Sequence, residues 1–144
     1  MTDSDDPAAR APGDKPKAPL VPISWGELLD KITILEIKLA HLTSAEARAN
    51  VENENRQLSE IAAGIDQDPA AVDRLRSALK DVNQQLWRIE DDIREKEALS
   101  EFDQAFIELA RAVYRTNDER GRIKREINEL LQSELVEEKQ YASY

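Results

Sequence analysis

The chain has 144 residues, no cysteine, a formal net charge of -10 and a charged fraction of 35%. That length fits one domain, and the missing cysteines remove disulfides, thiolate nucleophiles and Cys-ligated zinc or Fe–S clusters. The acidic balance disfavours nucleic acid and anionic membranes, because both present phosphates that an acidic surface repels.

Five of the six prolines fall within residues 1–22, a stretch with few bulky apolar groups. Such a segment cannot bury enough apolar area to offset its ordering entropy. Residues 1–21 therefore read as a disordered tail, and 22–144 as a helical bundle domain. The opening MTDSDDPAAR has no apolar h-region, and no stretch reaches the roughly 20 apolar residues of a membrane span. A cytoplasmic protein is expected.

The first helix is expected at about 24–42. Ser24 and Glu27 form an S-x-x-E capping box, and Trp25, Leu28, Ile32, Leu35, Leu39 and Leu42 recur at spacings of three and four. Ile34 and Ile37 widen its apolar surface, which predicts a central position. Thr43 and Glu46 repeat the capping signature and open a second helix over about 44–64. Its stripe runs through Ala47, Val51, Glu54, Leu58, Ile61 and Ile65, with Gly64 as a left-handed C-terminal residue.

Asp68 followed by Pro69 starts a third helix over about 69–98, with Val72, Leu75, Leu79, Val82, Leu86, Ile89 and Ile93 in strict heptad order. Ser100 and Asp103 can cap a fourth, at about 101–133, with a stripe of Phe102, Phe106, Leu109, Val113, Ile123, Ile127 and Leu130. The residues after Ser133 read as a fraying end. The fold class is all-α: an antiparallel bundle of about four helices with coiled-coil-like packing. Short turns force sequential helices to run antiparallel. The last two helices are longer than the first two, which leaves their far ends uncovered and predicts self-association.

Catalytic signatures are sparse. The single histidine, His41, reads as a surface or cap residue, and Lys38 stands where a bundle di-iron motif needs Glu. No metal and no cofactor are expected. The acidic run Glu90, Asp91, Asp92, Glu95 and Glu97 is interleaved with Arg88, Arg94 and Lys96, a solvated ion-paired face. Trp25 and Trp87 read as core or interface aromatics.

The segment Arg111–Arg125, RAVYRTNDERGRIKR, has six basic residues in fifteen. Three readings of it stand open. Thr116 and Glu119 can be a capping box that breaks the helix. Arg120 can be a polar seam residue that fixes helix register. Alternatively Tyr114, Arg115, Asn117, Asp118 and Arg120 can bind a small anionic ligand, since Arg recognises phosphate and carboxylate bidentately. In a hairpin of the last two helices folded near Ser100, Asn117 comes opposite Asn83 and Trp87 falls near Val113.

The strings ISWGELLDKITILEIK (23–38), LWRIEDDIREKE (86–97) and FIELARAVYRTNDERGRIKREIN (106–128) resemble a bacterial family of small helical proteins known only as a domain of unknown function. The resemblance covers the body of the chain and implies no catalytic residue or cofactor. It implies an association with sugar-transfer or surface-polysaccharide genes, and so places sugar nucleotides among the candidate anionic ligands. Two functions are carried forward. The first is a non-catalytic protein–protein interaction or assembly module, homo-oligomeric or docked on a protein partner. The second is a bundle that binds or acts on a small phosphorylated or carboxylated ligand through residues 111–125.

Overall fold

The computed structural model describes residues 17–144. The tail reading falls mainly on residues 1–16, outside the described residues; residues 17–22 are exposed and without regular structure. Four helices follow: α1 (Trp25–His41), α2 (Ala45–Ala62), α3 (Pro69–Ala98) and α4 (Gln104–Leu130). Each boundary lies within a turn of the expected one, and the described residues contain no strand.

Local chemistry sets these boundaries. Ser24 Oγ accepts the Glu27 N–H at 3.1 Å, as the capping box requires. Glu27 does not complete the box; its carboxylate reaches Lys124 of α4 instead. Ser44 caps α2 by accepting the Ala47 N–H at 3.3 Å, which moves the expected Thr43 cap by one residue. Asp68 caps α3 with Pro69 in the first turn, and Asp103 caps α4. Ser100 is not a cap of α4. It takes a left-handed φ of 54° where α3 ends, so that the Ser100 and Glu101 N–H groups close on the Glu97 and Lys96 carbonyls. Gln132 ends α4 in the same way, at φ 51°. Gly64 has no positive φ; α2 closes with a tight turn from the Gly64 N–H to the Ile61 carbonyl. Helix α4 runs unbroken through Thr116 and Glu119, which removes the helix-break reading.

Helix α1 is the hub. It packs on α2, α3 and α4, whereas α2 packs on α1 alone. The core joins Leu28, Leu29 and Ile32 of α1 to Val72, Leu75, Leu79 and Val82 of α3 and to Ile123 and Ile127 of α4. No residue of α2 is fully buried. Its packed stripe passes through Val51, Asn55, Leu58 and Ala62, so Glu54 and Ile61, expected inside, are exposed. Arg48 of α2 donates to the Leu39 and Leu42 carbonyls at the end of α1, and the His41 ring N–H donates to the Ile37 carbonyl. The Arg48 guanidinium offsets the negative pole of α1, and both side chains satisfy carbonyls of its last turns.

The core fills only one end of the α3–α4 hairpin. The last buried residue of α3 is Asn83, and the first of α4 is Ile123. Beyond them the hairpin projects with a half-buried seam that includes Ile89, Ile93, Leu109 and Val113. At the tip Leu99, Phe102 and Ile107 are 61%, 59% and 46% exposed.

Two helical glycines differ in purpose. A Cβ at Gly26 would sit 2.5 Å from the Lys124 carbonyl oxygen of α4, so the close approach of α1 to α4 requires glycine there. A Cβ at Gly121 would meet only the flexible Lys139 side chain, at 3.3 Å. Gly26→Ala should therefore destabilise by about 1–3 kcal/mol through overpacking. Gly121→Ala should be neutral or stabilising by up to about 1 kcal/mol through helix propensity. Urea unfolding of the two variants checks the contrast.

Candidate functional site

Asp30 is fully buried on α1. Arg120 of α4 grips its carboxylate side-on: Nε donates to Oδ1 at 2.9 Å and Nη2 to Oδ2. Asn83 of α3 donates from Nδ2 to Asp30 Oδ1 at 2.9 Å and to Thr33 Oγ1 at 3.0 Å. The Thr33 hydroxyl donates to the Asp30 backbone carbonyl at 2.8 Å. One carboxylate thus ties three helices together. A bidentate guanidinium partner is what makes a buried carboxylate tolerable, since an unpaired one would carry a large desolvation cost. The hydrogen bond to the Asp30 carboxylate raises the Arg120 pKa and outweighs desolvation by burial, which acts downward.

A second layer lies one turn further along α4. Lys124 donates to Glu27 at 2.8 Å and pairs with Glu137 at 2.7 Å, and its side chain is 7% exposed. Desolvation pushes its pKa down, and the Glu137 and Glu27 partners more than reverse that. Asn128 Oδ1 accepts the Gly26 N–H at 2.7 Å and Ser133 Oγ accepts the Trp25 N–H at 3.3 Å. With Ser24 taking the Glu27 N–H, the first-turn amides of α1 are satisfied largely from α4.

Two clefts flank this framework. The first, about 470 Å³, is the notch where α1 ends and the hairpin continues outward. Its apolar wall is Ile34, Ile37, Leu86 and Trp87, and its polar side is Asn83, Asn117 and Arg120, with Glu90, Asp91 and Arg94 completing the lining. The Trp87 ring stacks on His41, with centroids 4.7 Å apart. Arg120 Nη1 is left with one long contact, 3.5 Å to Asn117 Oδ1. Asn83 brings only its Nδ2 to the network, and no fully buried side-chain polar atom among the described residues lacks a partner.

The second cleft, about 1080 Å³, lies between α4 and residues 137–144. This closing segment, expected to fray, instead folds back along α4. Glu138 pairs with Arg125 at 3.1 Å, the Lys139 chain crosses Gly121, the Tyr144 hydroxyl donates to Asp118, and the Tyr144 ring meets Tyr114 edge-on at 5.1 Å. The Lys124 ammonium holds Glu137 below the usual carboxylate range.

The residues singled out in the sequence divide between these places. Asn117 lines both clefts, Arg120 faces the notch, and Tyr114 and Asp118 face the segment 137–144. Arg115 is exposed and lines neither cleft. Trp25 packs against the core and Trp87 walls the notch. Sequence reasoning passed over Asp30, Thr33, Lys124 and Asn128. The available signal was Asp30 directly beside the apolar pair Leu28 and Leu29, with Lys124 and Arg120 one helical turn apart on a distant helix. The acidic run of α3 lies on an exposed face, with Arg94 paired to Glu90 at 2.6 Å, and no metal-binding group of three acids or histidine occurs among the described residues.

Fold and site together define a small all-α protein: a projecting helix hairpin clasped by a central helix through a buried ion pair. The chain belongs to a family of unknown function, DUF6165, which matches it over residues 20–144. No curated protein matches the chain, and no solved structure does. No helix among the described residues is long and apolar enough to cross a membrane.

Asp30→Ala should cost about 3–5 kcal/mol, because it strands a guanidinium and a carboxamide in the interior. The pair Asp30→Leu with Arg120→Met should recover most of that loss, since matched apolar groups replace matched charges. Denaturant unfolding of both variants reads the difference, and a loss below about 1 kcal/mol for Asp30→Ala would show that the ion pair is peripheral to stability.

Proposed function

We propose that this protein is a non-catalytic helical assembly module that pairs with a second copy through the α3–α4 hairpin. The observation that carries the reading is the tip, where Leu99, Phe102 and Ile107 stay exposed beyond the end of the core. A hairpin used only as a core element would end where its buried residues end. Charge supports a like partner. The exposed flank of α3 carries Asp91, Asp92, Glu95 and Glu97, and α4 exposes Arg111 and Arg115. In a two-fold pairing each α3 flank meets the partner's α4 flank, acid against base.

Sedimentation equilibrium on the full chain tests this. The wild type should be dimeric or larger at micromolar concentration, and Phe102→Glu combined with Ile107→Glu should lower its mass with unchanged helicity. A wild type that stays monomeric into the hundred-micromolar range overturns the reading.

A second reading is favoured by the unspent hydrogen-bonding groups of the notch. Arg120 Nη1 and the Asn117 amide can receive a carboxylate or phosphate oxygen beside Trp87, which fits binding of a small anionic ligand. Because Arg120 also holds Asp30, Asn117→Leu is the cleaner probe. Against phosphorylated metabolites, sugar nucleotides and dicarboxylates, a rise in melting temperature with one class that Asn117→Leu removes supports this reading. A flat panel leaves assembly alone.

A further inference from the structure

We infer that the groove on α4 is an exchange site for residues 134–144, and that a second copy of this chain supplies the same segment in trans. This deepens the assembly reading and uses a surface at the opposite end of α4 from the hairpin tip.

The argument begins with what the segment does in its own chain. It carries Glu137 and Glu138 to Lys124 and Arg125, lays Lys139 over Gly121 and brings Tyr144 to Asp118 and Tyr114. These contacts run from the Lys124 and Arg125 turn back to Tyr114, with acid set on base and ring set on ring. The Lys139 side chain lies over Gly121, where α4 presents no side chain of its own.

The hold is nevertheless weak. Glu138 and Arg125 are 76% and 51% exposed, and ion pairs in that setting are worth about 0–1 kcal/mol each. A cleft of about 1080 Å³ remains under the segment, so it is clipped on at points and not packed down.

The joint explains why the occupant is a second copy. Ser133 is anchored, because its N–H closes on the Asn128 carbonyl and its hydroxyl accepts the Trp25 N–H. The turn back onto α4 is therefore made by Glu134, Leu135 and Val136. Leu135 and Val136 are 40% and 46% exposed, two apolar side chains left in water at the bend of an acidic segment. If the bend opens, the segment continues in the direction of α4. It then meets a neighbour whose α4 points the opposite way, end to end, about a two-fold axis. In cis and in trans the segment runs antiparallel to the α4 it binds, so every contact is kept. The stretch from Ser133 to Glu137 spans on the order of 14 Å when extended, enough to cross from one helix end to the next. The two opened joints then face each other, and Leu135 and Val136 of both copies are covered. Exchange of an identical element is a low-cost route to a dimer because it preserves the contacts, and the joint adds new ones.

The chain has no cysteine, which makes cross-linking clean. Asp118→Cys and Tyr144→Cys chains, one enlarged by a tag, are mixed unfolded, refolded together and treated with a bis-maleimide about as long as a tyrosine side chain. The mixed dimer linked 118 to 144 should be the main product, and it should persist when both chains also carry Phe102→Glu and Ile107→Glu. The double variant Asp118→Cys with Tyr144→Cys is the companion measurement. If it links only within one chain while the mixture yields no mixed dimer, the segment stays in cis and the inference fails. If neither preparation links, the segment does not seat on α4 and the inference fails as well. The hairpin reading is untouched by either failure, because sedimentation of the Phe102→Glu, Ile107→Glu variant tests it separately.

Discussion

The arrangement of the helices depends on a single carboxylate. Asp30 is fully buried, and its two oxygens take three hydrogen bonds, two from the Arg120 guanidinium and one from the Asn83 amide. Apolar contacts are non-directional: Leu28, Leu29 and Ile32 would pack acceptably over a range of rotations and shifts against α3 and α4. A buried ion pair is satisfied in one register, and every other leaves a charge unpaired in the interior. The network therefore contributes to which packing forms more than to how much area is buried. Gly26 makes the same selection sterically, since only this alignment brings the Lys124 carbonyl against a residue with no side chain.

The same accounting limits the chemistry available on α4. A stripe with six basic residues in fifteen looks like an anion site in the sequence. In the fold most of those charges are already matched: Arg120 by Asp30, Lys124 by Glu27 and Glu137, Arg122 by Glu119 and Glu126, Arg125 by Glu138. What the notch retains is a few hydrogen-bonding valences beside an aromatic wall, suited to orienting a ligand more than to attracting one.

Helix positions were legible because their signals are local. Ser24, Asp68 with Pro69, and the heptad from Val72 to Val82 each act within a turn or two of chain. The errors there are small and physical: Thr43 and Ser44 are both capping hydroxyls, and adjacent positions compete. The misses are non-local. Pattern reading follows one apolar face, but α1 packs on three helices, so the polar residues Asp30 and Thr33, which belong to no apolar stripe, are buried as well. Gly64 looked like a left-handed helix terminator, yet a glycine's purpose depends on what approaches it. The return of residues 137–144 along α4 has no periodicity to reveal it. Its one sequence signal was opposite charge, three glutamates downstream of a basic stripe.

The end of the core partway along the hairpin has a dynamic consequence. Residues of α3 up to Asn83 and of α4 from Ile123 can expose their amides to solvent only when the whole domain opens. The outer turns, with a half-buried seam and no residue shielded on all sides, can fray and re-form while the core stays closed. Hydrogen exchange along the two antiparallel helices should then form a gradient, slow at the base and fast at the tip. The hairpin is in this sense a rigid stem carrying a compliant end, and a partner that seized the end would slow its exchange without altering the stem.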